Sequence, residues 1–144
     1  MRRAFIMMAC LIALAACGDS GTDPDDANLS GTWEFSERFS NAQLQVSCNN
    51  TGTLTIVHSG STITGNGAQQ GTCQGPGGTF DNSGSANITG GQVSGNNVSF
   101  QGGGCNYTGT FSGNPPNRIT GTSSCVVAVS GQNFTFTGTW EAGK

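Results

Sequence analysis

Charge is scarce in this 144-residue chain, where Asp, Glu, Lys and Arg together make up 9% of the residues. No basic cluster is present to neutralise phosphates, which argues against nucleic-acid binding. His58 is the one histidine and no Cys-x-x-Cys occurs, so a zinc-type ligand set is lacking and neither metal nor cofactor is expected. No Gly-x-Ser-x-Gly nucleophile elbow occurs, and nothing in the sequence brings two carboxylates into one pocket, so an enzyme is not expected. No window sustains a 3.6-residue apolar period, which sets helical architectures aside. Nor is there a run of about 20 apolar residues, the length a membrane-spanning helix needs.

Glycine is what the chain has in quantity, with 24 residues, alongside much Ser, Thr, Asn and Gln. Disorder would ordinarily carry high net charge and few aromatics. Here Trp, Phe, Ile and Val recur at short intervals from Leu29 onward, between Gly-, Asn- and Ser-rich turns, which is the pattern of β-strands. Trp33, Phe35 and Phe39 share one parity, and Phe134, Phe136 and Trp140 share another. Turn signals fall at Ser59-Gly60-Ser61, Gly95-Asn96-Asn97, Asn114-Pro115-Pro116-Asn117 and Gly131-Gln132. The stretch from Gly65 to Gly78 reads as the least structured. About eight to ten antiparallel strands result, in a small up-and-down β-barrel or, alternatively, a β-sandwich, spanning residues 29–142. Glu34 and Glu141 alternate with apolar positions and are expected to face water, and Tyr107 is expected in the core.

Ahead of this domain, Arg2 and Arg3 precede an uncharged stretch from Ala4 to Ala16 that ends on small residues, the layout of a secretory signal. Leu14-Ala15-Ala16-Cys17 resembles the lipobox of bacterial lipoprotein precursors. The resemblance implies removal of residues 1–16, acylation of Cys17 and attachment to a membrane through that lipid. With Gly18 rather than aspartate after the cysteine, it further implies a place in the bacterial cell envelope, at the outer rather than the inner membrane. Two or more acyl chains, each buried methylene contributing about 0.8 kcal/mol, are enough for stable anchoring. The mature chain would have 128 residues, with three basic against eight acidic side chains, a net charge of −5. Residues 17–28 hold four of those acids (Asp19, Asp23, Asp25, Asp26) and read as a flexible acidic tether.

Ser30-Gly31-Thr32-Trp33-Glu34 near the start of the domain is echoed by Thr137-Gly138-Thr139-Trp140-Glu141 at its end. In a closed barrel the first and last strands are neighbours, which would bring Trp33 and Trp140 near each other. The opening Gly-Thr-Trp also resembles the first strand of lipocalin- and avidin-like barrels. That resemblance implies a hollow module carrying a small apolar or amphipathic ligand, with Trp33, Phe35, Phe134, Phe136 and Trp140 as candidate lining. The rival expectation is a structural or interaction protein of the envelope with a solid core.

Once Cys10 is removed and Cys17 acylated, four cysteines are left, an even number suited to an oxidising compartment. Facing residues of an antiparallel pair have a constant sum of residue numbers. A turn near Pro115 gives 230, the sum for Cys105 and Cys125. A turn at Gly60-Ser61 gives 121, the sum for Cys48 and Cys73. The register therefore predicts disulfides Cys48–Cys73 and Cys105–Cys125. A non-reduced proteolytic digest is expected to yield these two linked pairs; a peptide joining Cys48 to Cys105 or Cys125 would overturn the register.

Overall fold

The computed structural model describes residues 27–144. The proposed signal, Cys17 and most of the tether lie outside the described residues. Among the described residues there are nine strands: β1 (Gly31–Asn41), β2 (Val46–Ser59), β3 (Thr62–Gly75), β4 (Gly78–Asp81), β5 (Gly84–Ser94), β6 (Asn97–Gly102), β7 (Cys105–Ser112), β8 (Arg118–Val129) and β9 (Gln132–Gly143). Each of the long strands pairs antiparallel with its neighbours, and β1 pairs with both β2 and β9. With β2 also paired to β3, and β3 to β5, the ring closes as an eight-stranded up-and-down barrel. The short β4 sits outside the ring on the end of β3. Closure leaves no long strand with an unpaired edge. The barrel alternative is thus the one adopted.

Alternation along the strands fills the inside. Trp33, Phe35, Leu54, Ile56, Ile63, Ile88, Val98, Phe100, Tyr107, Phe111, Ile119 and Trp140 are all buried in one core. Outward positions carry mostly Thr, Ser, Asn, Gln and Glu, unlike the apolar outer band of a lipid-facing barrel. Glu34 and Glu141 are among them, and Glu141 accepts a 2.8 Å ion pair from Arg118. Both disulfides form as the register requires, Cys48 facing Cys73 and Cys105 facing Cys125.

Two sequence expectations are corrected. The stretch from Gly65 to Gly78 is not a loose connection, because Thr62–Gly75 is one 14-residue strand. Its inward positions include Gly65, Gly67 and Gly71, which supply no side chain for an apolar period to register. A Cβ at Gly71 would collide with the Asn50 side chain, so the missing atom makes room for a neighbour. The second concerns the tryptophans. Strands β1 and β9 are neighbours, but their antiparallel register sets Trp140 opposite Glu37, and Trp33 lies four residues further along β1. On β1 it is Phe35, not Trp33, whose ring lies beside Trp140, at 6.1 Å.

The two ends differ. At the end carrying the β2–β3, β5–β6 and β7–β8 turns, Leu29 and Trp33 are fully buried. The Trp33 indole N–H donates to the Leu29 carbonyl at 2.8 Å. The Leu29 N–H donates to His58 Nδ1 at 3.3 Å. Lys144 Nζ donates to the Ser30 carbonyl at 2.8 Å and lies 4.5 Å from the centre of the Trp33 ring. This is the closed end. In mid-barrel the Trp140 indole N–H is shared between the carbonyls of Thr108 (3.2 Å) and Thr122 (3.1 Å). That approach depends on Gly109, where a Cβ would stand 2.9 Å from Trp140 Cζ2. Gly109→Val is expected to lower the unfolding free energy by about 1–3 kcal/mol through overpacking, measured by urea denaturation under non-reducing conditions.

Candidate functional site

Toward the opposite end the interior changes character. Glu37 on β1 shares the inward parity of Trp33 and Phe35 and is 2% exposed. Its register partner on β2 is Asn50, also inward and buried. Across the barrel, Tyr107 on β7 pairs in register with Ser123 on β8, and both are buried and inward. Four polar side chains thus occupy one level of the barrel, above a layer of rings. Tyr107 stacks on Phe100 at 4.8 Å and meets Phe35 and Trp140 edge-on at 6.3 and 5.8 Å.

The polar level is under-satisfied. The Tyr107 hydroxyl donates to Glu37 Oε2 over a long 3.5 Å. Asn82, on the link between β4 and β5, reaches in to donate from its amide to Asn50 Oδ1 at 3.1 Å. Asn50 and Ser123 lie near enough to Glu37 to favour its charged form, but neither completes a well-aligned hydrogen bond. Among the described residues, Glu37 Oε1, Asn50 Nδ2 and Ser123 Oγ are consequently buried without hydrogen-bond partners. Leaving such atoms unpaired costs about 1–3 kcal/mol each. Burial holds the Glu37 carboxyl above the usual carboxylate range, with Ser123, Asn50 and Tyr107 opposing that shift. Burial also raises the Tyr107 hydroxyl, and the Glu37 carboxylate adds to the effect.

A cavity of about 260 Å³ lies against this level. Phe35, Glu37, Phe100 and Tyr107 line its inner part, while Gly67, Ala68, Gly84, Ala86, Gly102 and Gly103 line its side. The lining reaches Phe39, the Cys105–Cys125 bridge, and Val126 and Val127, which are 53% and 41% exposed. This is the open end. The hollow follows from the sequence: large rings project from one side of the wall and glycine or alanine from the other, so the side chains do not meet.

Of the five aromatics expected to line a cavity, Phe35 does so. Trp33 is packed at the closed end, and Trp140 is buried in the ring layer behind Phe35, Phe100 and Tyr107. Phe136 is buried against Phe39 near the open end, with rings 5.9 Å apart, and Phe134 is half-buried on the same strand. Sequence reasoning overlooked Glu37. The signal was its place between Phe35 and Phe39 at inward parity, where an outward acid such as Glu34 would not fall. Among the described residues, no group of three or more His, Cys, Asp or Glu side chains is arranged to hold a metal. Comparison of the chain with protein-family models, with curated proteins and with solved structures finds no match.

The raised Glu37 carboxyl sets a pH dependence of folding. In the unfolded chain Glu37 titrates near 4.5, and in the folded state above that value. Below the unfolded pKa both states hold the proton and the favourable contribution is fully present. As pH rises through the folded pKa the buried carboxyl must ionise, and the contribution is lost. Thermal unfolding from pH 4 to 8 is expected to show stability declining across that window in the native chain. In Glu37→Gln this component of the decline should be missing, leaving the variant more stable than the native chain at pH 8.

Proposed function

We propose that this chain is a lipid-anchored protein of the bacterial cell envelope whose barrel carries a small amphipathic ligand. The observation that supports the ligand reading best is the hollow open end, with a buried and partly unpartnered carboxyl at the base of a largely apolar cavity. Eight antiparallel strands closed up-and-down form the architecture that lipocalins use to hold one small ligand. At about 260 Å³ the cavity is just below the usual range for drug-sized ligands, so it suits a compact molecule or one whose tail emerges at the mouth.

The lipid anchor rests on Leu14-Ala15-Ala16-Cys17. Ala27 to Leu29 join the barrel at its closed end, so a tether from Cys17 would attach on the side away from the mouth. A cavity facing away from its own anchor is accessible to molecules in the surrounding compartment. The rival reading, an interaction protein of the envelope, draws support from Phe80 and Val129, which are exposed near the open end without belonging to the cavity lining.

Native mass spectrometry of the full-length protein, expressed and extracted from a bacterial envelope, tests both parts. The mature protein should begin at acylated Cys17 and retain a small-molecule mass. Ala86→Trp, which places an indole inside the cavity, should lose that mass while keeping the acyl groups. A chain that carries no small molecule but co-purifies with one protein would replace the carrier reading with the interaction reading. An unacylated Cys17 would remove the anchor.

A further inference from the structure

The chemistry of the cavity goes further than its size. Among the described residues, its lining includes one ionisable carboxyl and no Lys, Arg or His. Among the described residues, Glu37 Oε1 completes no hydrogen bond although the Asn50 and Ser123 side chains stand beside the carboxyl, which is 2% exposed. Around the same space stand three aromatic rings, Phe35, Phe100 and Tyr107, with Phe100 and Tyr107 stacked on each other. Further out, the lining ends on Val127, which shares the inward parity of Ser123 and Cys125 and is 41% exposed.

These features ask different things of a ligand. An unpaired buried carboxylate is satisfied by a cation that donates hydrogen bonds, and such charge-assisted bonds are about twice as strong as neutral ones. Ring faces attract the same cation within about 6 Å of their centres. Val127 at the mouth favours a hydrocarbon chain. An anionic head would set carboxylate against carboxylate in a space without a counter-charge. A neutral alcohol could satisfy one lone pair but would leave the charge uncompensated.

We infer that the ligand of this cavity is an amphipathic amine, whose ammonium group meets Glu37 among Phe35, Phe100 and Tyr107 and whose hydrocarbon chain runs outward past Val127. The inference rests on the carrier reading and names the class of molecule carried. It also makes binding depend on pH. Of the groups facing Glu37 from the packed strands, β2 presents Asn50, β8 presents Ser123 and β9 presents Trp140, all uncharged, and β7 presents Tyr107, whose hydroxyl stays neutral well above pH 8. The amine remains protonated below pH 8. Affinity therefore follows ionisation of Glu37 alone, rising as pH increases.

Isothermal titration of the full chain with hexylamine, hexanol and hexanoate tests this. At pH 8, hexylamine should bind at least tenfold more tightly than either of the others, and its advantage should shrink toward pH 4. Glu37→Gln, verified as folded by its thermal transition, should lose tenfold or more of its hexylamine affinity. Equal binding of all three, or preference for hexanoate or hexanol, would overturn the amine assignment and leave the carrier reading intact. Binding of none of them, together with no small molecule retained in native mass spectra, would overturn both. The pH series in the native chain decides the question even if the Gln variant does not fold: hexylamine affinity that does not change with pH overturns the role of Glu37.

Discussion

Pairing of β1 with β9 is the contact on which everything else depends. It turns a meander of hairpins into a ring of eight strands, and a ring of eight fixes how much space lies inside. Every inward residue then competes for that one volume. Where the inward residues are Leu, Trp, Ile and Val the volume is full, and where rings face glycines it is not. The cavity is therefore a product of closure combined with side-chain size, and no loop or lid is needed to form it.

That explains how unevenly the structure could be read from the sequence. Strands whose inward residues are large announced themselves: Trp33 and Phe35 on β1, Phe134, Phe136 and Trp140 on β9. The disulfides were also legible, because hairpin register is arithmetic once the turns at Gly60-Ser61 and Pro115 are placed. Strand β3 was not, since alternation is invisible when the inward partner is hydrogen. Trp33 and Trp140 misled for a related reason. Similar sequences in antiparallel neighbours run in opposite directions, so equal distance from a Gly-Thr step does not mean equal height in the barrel. The candidate site was hidden most of all, because it consists of small residues and one acid in a strand otherwise read by its aromatics.

Glu37 breaks the rule that buried polar groups are matched. Replacing it with an apolar residue would relieve an ionisable group that burial penalises. Local rules of this kind tend to be broken where a site needs chemistry that folding alone would not select. The nearby groups fit that view. The Tyr107, Asn50 and Ser123 side chains stand around the carboxyl, yet among the described residues Oε1 completes no hydrogen bond.

The covalent links follow the same division of the barrel. The closed end is held by packing and by hydrogen bonds among Leu29, Trp33, His58, Ser30 and Lys144, and it contains no disulfide. Both disulfides lie on the open-end side of the polar level, one joining β2 to β3 and the other β7 to β8. By loop closure, bridges spanning 25 and 20 residues each contribute about 3 kcal/mol. A hollow end lined with glycine and crossed by unpaired polar atoms lacks the apolar contacts that stabilise the other end. Cross-links placed there offset that deficit without filling the space. Packing at one end and sulfur at the other allow the same small barrel to be rigid where the chain enters and empty where a ligand would.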